Sequence, residues 1–310
     1  MNQHGLLLID KPSGMTSHDV VARVRRILQT KSVGHSGTLD PMASGLMVLL
    51  IGEATKLSQY ILEKNKGYQL KAKLGVETDT LDMTGKVLRT EMDLPAPERV
   101  KEIASELHGE LNLQVPIFSA TKVDGKRLYE YARKEQEVAL PHKIMTFFDL
   151  QWIDQGLDFI ELSIRCSKGA YIRAWVDLLG KKLGVGAALS ELVRTESMPF
   201  HLSQALSLEQ LAEQMSILGS DLEKLERGFV PMSAALPEAR SVRVQGQDQA
   251  MILNGLISHD LRAQLISAYR PGQGDLIKIL SQREGEMLAL VGLEPGRGFV
   301  VKRGFRYGTK

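Results

Sequence analysis

The residues Gly34-His35-Ser36-Gly37-Thr38-Leu39-Asp40-Pro41 put an imidazole, two hydroxyls and a carboxylate into a stretch without hydrophobic period. Such a stretch reads as a loop, and Asp40, standing before a proline, is biased toward extended backbone at a break between elements. No Gly-Lys-[Ser/Thr] closes the loop and no Gly-x-Gly-x-x-Gly follows a strand, so the sequence signature of a phosphate cradle is missing. The seven histidines are scattered without metal-ligand spacing, a single cysteine excludes Cys-rich zinc or iron-sulfur sites, and no metal is expected. Asp79 and Asp82 read as turn formers rather than magnesium ligands. A Gly-x-Ser-x-Gly elbow and a Cys/His pair are both missing, and Cys166 ends an apolar strand face as a core residue would. Covalent chemistry then falls to a carboxylate, which can attack an electrophilic carbon without a cofactor. A His or Asp in a glycine-rich turn also serves as a capping or turn residue, so the loop alone leaves both uses open.

The elements that must hold this loop alternate between helix and strand. Residues 5–10 read as a short buried strand, turned by Pro12-Ser13-Gly14. Thr16 or Ser17 then caps a helix carrying Val20, Val21, Val24, Ile27 and Leu28 at helical spacing. An apolar element spans Met42 to Ile51. Tyr68 to Leu74 alternates with period two, with Tyr68 on the apolar face, and a turn through Thr78 to Gly85 leads to a strand near Lys86 to Arg89. Val100, Ile103, Ala104 and Leu107 mark a helix. Residues 116–140 are polar and weakly periodic, with a short helix near Leu128 to Arg133, and read as an excursion from the core. A strand over Phe159 to Cys166 precedes a helix that carries Tyr171, Ile172, Trp175, Val176, Leu178 and Leu179, with Arg173 near its N-terminal end.

The domain boundary is expected within Glu223 to Pro237. Beyond it, one helix from Gln247 to Leu253 is followed by short strands separated by Pro271-Gly272, Glu284-Gly285 and Pro295-Gly296-Arg297-Gly298, a pattern that fits a small β-barrel. The class is α+β.

At 310 residues the chain is long enough for about two domains. Its 43% hydrophobic and 25% charged residues belong to ordinary globular proteins, which excludes disordered and fibrous classes. The longest wholly apolar run, Leu46 to Ile51, falls far short of the roughly 20 residues that span a bilayer. No signal-peptide pattern stands at the N-terminus, and one cysteine suits a reducing compartment, so a cytoplasmic location without membrane contact is expected. The net charge is only +2, yet cations gather in three places. These are Lys11, Arg23, Arg25, Arg26 and Lys31; Lys122, Lys126, Arg127, Arg133 and Lys134; and Arg297, Lys302, Arg303, Arg306 and Lys310. Three such clusters point to a nucleic-acid partner.

Several ordered motifs carry a resemblance along the whole chain. They are Asp10-Lys11-Pro12-Ser13-Gly14-Met15-Thr16-Ser17, the loop Gly34 to Pro41 continued by Met42-Ala43-Ser44-Gly45, Gly52-Glu53-Ala54-Thr55-Lys56, Ser119 to Arg127, Lys168 to Arg173, and Leu192-Val193-Arg194-Thr195. Together they resemble the bacterial tRNA pseudouridine synthase B family, which isomerises uridine 55 in the T-loop of tRNA.

The resemblance implies a catalytic fold with a mixed, mainly antiparallel sheet and flanking helices over residues 1–235, an RNA-clamping insertion near 116–140, and a PUA-like RNA-binding domain over 236–310. It implies that Asp40 is the nucleophile, that Arg173 is its cationic partner, and that Asp82 holds the guanidinium from the other side. A carboxylate buried beside a base needs such a cation to keep its charge. In the same way, Tyr68 is expected to stack on the flipped base, His35 to fill the space it vacates, Tyr171 and Leu192 to line the pocket, and Lys56 to contact substrate. Extruding a stacked base costs a few kcal/mol and one aromatic stack returns roughly 1–3 kcal/mol, so Tyr68 suits that task. No cofactor is implied, and the expected partner is the T-arm stem-loop, bound by a monomer without an obligate protein partner. An RNA-binding or tRNA-folding chaperone, or a synthase for another RNA, is the alternative reading.

Overall fold

The computed structural model describes residues 4–219, 221–270 and 276–307. In chain order it holds β1 (Gly5–Lys11), α1 (Ser17–Ile27), β2 (Val33–His35), β3 (Ser44–Ile51), α2 (Ser58–Leu62), β4 (Lys66–Leu74), and the hairpin β5 (Val76–Thr78) and β6 (Val87–Thr90). Next come α3 (Pro97–Glu106), β7 (Gly109–Gln114), β8 (Lys122–Val123), β9 (Lys126–Arg127), α4 (Leu128–Ala132), β10 (His142–Gln155), β11 (Phe159–Cys166), α5 (Ile172–Leu183) and β12 (Ala187–Ser197). After these follow β13 (Phe200–His201), β14 (Leu206–Ser207), α6 (Leu208–Leu218) and β15 (Phe229–Pro231). The C-terminal part is β16 (Arg240–Val244), α7 (Gly246–Leu253), α8 (His259–Ala268), β17 (Leu276–Ser281), β18 (Met287–Glu294) and β19 (Gly298–Gly304).

Local chemistry accounts for the elements that matter most. Thr16 caps α1 in a reciprocal box with Asp19, while Val20, Val21 and Val24 bury its apolar face. In β4 the period of two turns Lys66, Tyr68, Leu70, Ala72 and Leu74 to one face. Gly184, at φ +79°, stops α5 in the left-handed conformation that suits glycine.

One large sheet runs in the order β14-β1-β3-β12-β4-β11-β10-β7, with β2, β13 and β15 on side paths. Its pairing is antiparallel except where β1 meets β14 and β3 meets β12. The β3–β12 junction is short, pairing only Val193 with Ser44 and Arg194 with Gly45, so the two halves of the sheet diverge there. A cluster around Trp175 and Phe147 fills one half, and a second around Val20 and Leu211 backs β1 and β3. The C-terminal sheet, β16-β17-β18-β19, has its own cluster around Leu261 and Ile279. A further cluster joins both sheets: Leu6, Leu8, Leu46 and Leu50 pack with Met232, Leu236, Met287, Leu290 and Phe305.

The structure departs from the sequence reading in three places. The stretch read as a loop from Gly34 to Pro41 begins in a strand, because Val33, Gly34 and His35 pair with Ile51, Leu50 and Leu49. Strands β10 and β12 have no clean period in sequence because each carries register shifts that flip the alternation part-way. The region read as short strands contains the helix α8, capped by Ser258 at the backbone N–H of Leu261. The Pro271-Gly272 turn and Lys310 lie outside the described residues.

Candidate active site

The loop that ends in Asp40 crosses the mouth of the β3–β12 junction and is held from both flanks by main-chain contacts. From the α1 side, the buried Ser17 hydroxyl donates to Leu39 O (3.0 Å) and accepts from Leu39 N–H (2.8 Å). Ser13 Oγ donates to Met42 O at 2.8 Å, and Gly14 N–H donates to Pro41 O at 2.8 Å. Lys11, fully buried, sends its ammonium to the carbonyls of Pro12 (2.9 Å), Met15 (2.7 Å) and Pro41 (3.4 Å). Burial pulls the Lys11 amine down to about 8, partly opposed by the Asp40 charge. From the β12 side, Arg194 donates to Leu46 O (2.7 Å), Thr38 O (3.4 Å) and Gly37 O (3.4 Å). Gly45 lets these strands meet, since a Cβ there would stand 2.5 Å from Arg194 O and its φ is +98°.

Arg173, in the first turn of α5, reaches the Asp40 carboxylate with Nε at 2.9 Å. Its Nη1 donates to Thr80 O at 2.9 Å and its Nη2 to Phe118 O at 2.8 Å. Asp82 stands 3.8 Å from the same Nε and is itself fixed by the Thr80 hydroxyl at 2.8 Å and Thr84 N–H at 3.0 Å. One buried guanidinium thus ties the Asp40 loop, the turn before β6 and the start of the 116–140 excursion to one point. The Arg173 side chain is 4% exposed and that of Asp40 33%, so the carboxylate remains reachable from the cavity it borders.

That cavity measures about 390 Å³ and is lined by Asp40, Lys66, Tyr68, Tyr171, Arg173, Leu192 and Arg194 among others. Tyr68 packs on the main core while its hydroxyl is enclosed, and burial pushes the phenol up to about 12. Tyr171 Oη pairs with Thr121 Oγ1 at 3.0 Å, which draws the 116–140 excursion over the opening. Leu192 sits opposite Leu70 on β12, and Arg194 opposite Tyr68. A wider groove of about 720 Å³ along Asp79, Ile117, Phe118 and Glu135 to Leu140 is lined by carboxylates without a cationic side chain to pair with them.

Asp40, Tyr68, Tyr171, Arg173 and Leu192 therefore meet at one cavity, with Asp82 behind Arg173. His35 and Lys56 stand outside the lining. His35 accepts from Gly37 N–H at 3.3 Å, and burial holds its imidazole below the usual histidine range. Lys56 pairs with Glu53 at 2.6 Å in the turn after β3. Lys66 is given no part in the sequence reading, and Lys11, Ser17 and Arg194 enter it only within a basic cluster, a helix cap or a motif, without a role in the site. A signal was present for Lys66, which lies in phase with the apolar face of its strand, where a solvated cation does not belong.

Residues 25–172 match the family model described as TruB family pseudouridylate synthase (N terminal domain), and residues 173–237 match the tRNA pseudouridylate synthase B C-terminal domain. A tRNA pseudouridine synthase B of Bdellovibrio bacteriovorus is 56% identical over 305 residues, covering 98% of this chain and 97% of the relative. The chain belongs to the tRNA pseudouridine synthase B family. Another tRNA pseudouridine synthase B, from Caldicellulosiruptor saccharolyticus, is 44% identical and covers 69% of this chain and 74% of its own. Among solved structures, a Cbf5-Nop10-Gar1 complex aligns with a TM-score of 0.69 at 25% identity, covering 98% of this chain and 84% of the other. An H/ACA RNP bound to a substrate RNA containing 2'-deoxyuridine aligns with a TM-score of 0.70 at 21% identity, covering 98% and 86%. The chain is a tRNA pseudouridine synthase with the pseudouridine synthase fold, and tRNA is its substrate. Among the described residues, no helix is long and apolar enough to cross a membrane.

Proposed function

We propose that this synthase isomerises uridine 55 in the T-loop of tRNA, binding the T-arm stem-loop as a cytoplasmic monomer without cofactor, metal or protein partner. The observation that carries the reading is the Asp40 carboxylate, 2.9 Å from a buried guanidinium and open to a cavity of about 390 Å³. Asp40 is the nucleophile or base at the ribose, and Arg173 orients it while Asp82 steadies the guanidinium. Tyr68 stacks on the extruded uracil, Tyr171 and Leu192 close around the base, His35 fills the gap left in the RNA, and Lys56 meets the RNA outside the pocket. Residues 1–235 form the catalytic domain, the insertion at 116–140 clamps the RNA, and residues 236–310 form a PUA-like RNA-binding domain.

The reaction needs the C1′–N1 bond broken, the uracil turned while enclosed, and a C1′–C5 bond formed. A preset carboxylate beside the sugar and a closed aromatic pocket supply positioning and exclude water. The test uses a T-arm stem-loop transcript tritiated at uracil C5, incubated with wild type and Asp40→Asn. Release by wild type only, abolished when the target uridine is replaced by cytidine, is expected, with RNA affinity of the variant within a few fold. Substantial release by Asp40→Asn would remove Asp40 from its role, and tight binding without release would point to another RNA or to a chaperone.

A further inference from the structure

The cavity holds more positive charge than Asp40 requires. Arg173 answers Asp40 and Asp82, yet Lys66 and Arg194 also line the cavity, buried at 7% and 2% exposure. Among the described residues neither has a carboxylate within ion-pair distance. Lys66 Nζ donates to the carbonyls of Leu62 (3.1 Å) and Lys64 (2.6 Å), which uses two of the three N–H bonds of an ammonium. Lys66 lies two residues before Tyr68 on the same face of β4, and Arg194 lies directly across from Tyr68 on β12. Burying cations that meet only carbonyl dipoles and, for Arg194, the Tyr68 phenol is costly, so two of them lining one pocket ask for a negative charge that is absent at rest.

We propose that Lys66 is a further catalytic residue, whose ammonium, backed by Arg194, accepts the negative charge that appears on uracil as its bond to the ribose breaks. The inference rests on the function proposed above. Cleavage of C1′–N1 leaves the bonding pair on N1, spread over O2 and O4 of the detached base, whichever way Asp40 engages the sugar. C5 then bonds to C1′, the C5 proton leaves, and N1 takes up a proton, so the product is an isomer. A fixed cation at the carbonyl edge stabilises the anionic stage and does little for the neutral substrate, which is the condition for raising rate rather than affinity. A phosphate of the RNA is a poorer match for a charge buried in the cavity wall beside Tyr68, because phosphates stay with the sugar backbone outside the base pocket. Burial and the neighbouring Arg194 bring the Lys66 amine down to about 8, so the charge is held with little reserve.

The test compares single-turnover tritium release and stem-loop affinity for wild type, Lys66→Gln and Lys66→Arg. Glutamine keeps an N–H donor for the Leu62 and Lys64 carbonyls but carries no charge. Lys66→Gln is expected to react about 100-fold more slowly, as when one oxyanion donor is removed, with stem-loop Kd within about threefold of wild type. Lys66→Arg is expected to restore the rate to within about fivefold of wild type. If Lys66→Gln reacts within about threefold of wild type, or if the loss falls on Kd instead, the inference is overturned while the proposed function stands. Failure of Lys66→Arg to recover a lost rate overturns it as well. Wild type without tritium release would overturn the function itself and this inference with it.

Discussion

Replacing Arg173 by lysine keeps the charge and removes the fork, which isolates geometry from electrostatics. The guanidinium makes contacts in three directions, to Asp40, Thr80 O and Phe118 O, at 2.8–2.9 Å. An ammonium in its place can satisfy one. Each hydrogen bond from a charged group to a buried partner is worth about 1.5–3 kcal/mol, so losing the two carbonyl contacts costs roughly 3–6 kcal/mol. The Asp40 pair adds little to that figure, about 0–1 kcal/mol, because its carboxylate is 33% exposed. Water admitted through the cavity recovers part of the loss, and about 3 kcal/mol in urea denaturation is expected. Turnover should fall further than stability suggests, since the Thr80 turn and the Phe118 segment would no longer share a fixed point with Asp40. A displacement near 1 Å costs about 100-fold in rate. Urea denaturation and single-turnover tritium release, run on the same preparation, measure both. A stability loss below about 1 kcal/mol together with near-normal turnover would refute the view that one guanidinium organises the site.

Three further outcomes follow from the same contacts. Tyr68→Ala should slow turnover roughly tenfold to a hundredfold, the value of one lost base stack, and a near-normal single-turnover rate would return Tyr68 to the core. Gly45→Ala should lose about 3 kcal/mol in urea denaturation, from a positive φ and from a Cβ 2.5 Å from Arg194 O, and an unchanged midpoint would contradict the close approach. His4 accepts from Glu53 N–H at 3.0 Å and burial lowers its pKa, so the unfolded chain binds the proton more readily. Stability should therefore fall as pH drops below about 6.5, and His4→Gln should flatten that limb of a melting-temperature profile.

The elements that position the site were legible wherever the hydrophobic period was regular. The capped valine helix α1, the alternating strand β4 and the helix that carries Arg173 all appear near their expected bounds. Periodicity failed at β12, where register shifts beside Leu189 and Arg194 interrupt the alternation that would have marked it. That failure hid Arg194, because a cation outside a recognised strand carries no sign of burial. Lys11 was hidden differently. It belongs to a motif whose neighbours turn the chain, and only the folded loop brings the carbonyls of Pro12, Met15 and Pro41 around one ammonium. Asp40, Arg173 and Asp82 are 133 and 42 residues apart at their widest and narrowest, so nothing local in sequence announces that they meet.

The cluster that joins the two sheets bears on how such a protein can be taken apart or rebuilt. Leu6 and Leu8 from the first strand share it with Met287, Leu290 and Phe305, and Lys64 pairs with Glu238 across the same seam. Neither side presents a finished polar surface to the other. Cutting between the sheets would bare an oily face on each fragment, and grafting the C-terminal sheet onto a different catalytic body would demand matching side chains on β1 and β3 as well. The seam thus makes the pair a single inheritable unit, in which drift on one side constrains what the other can accept.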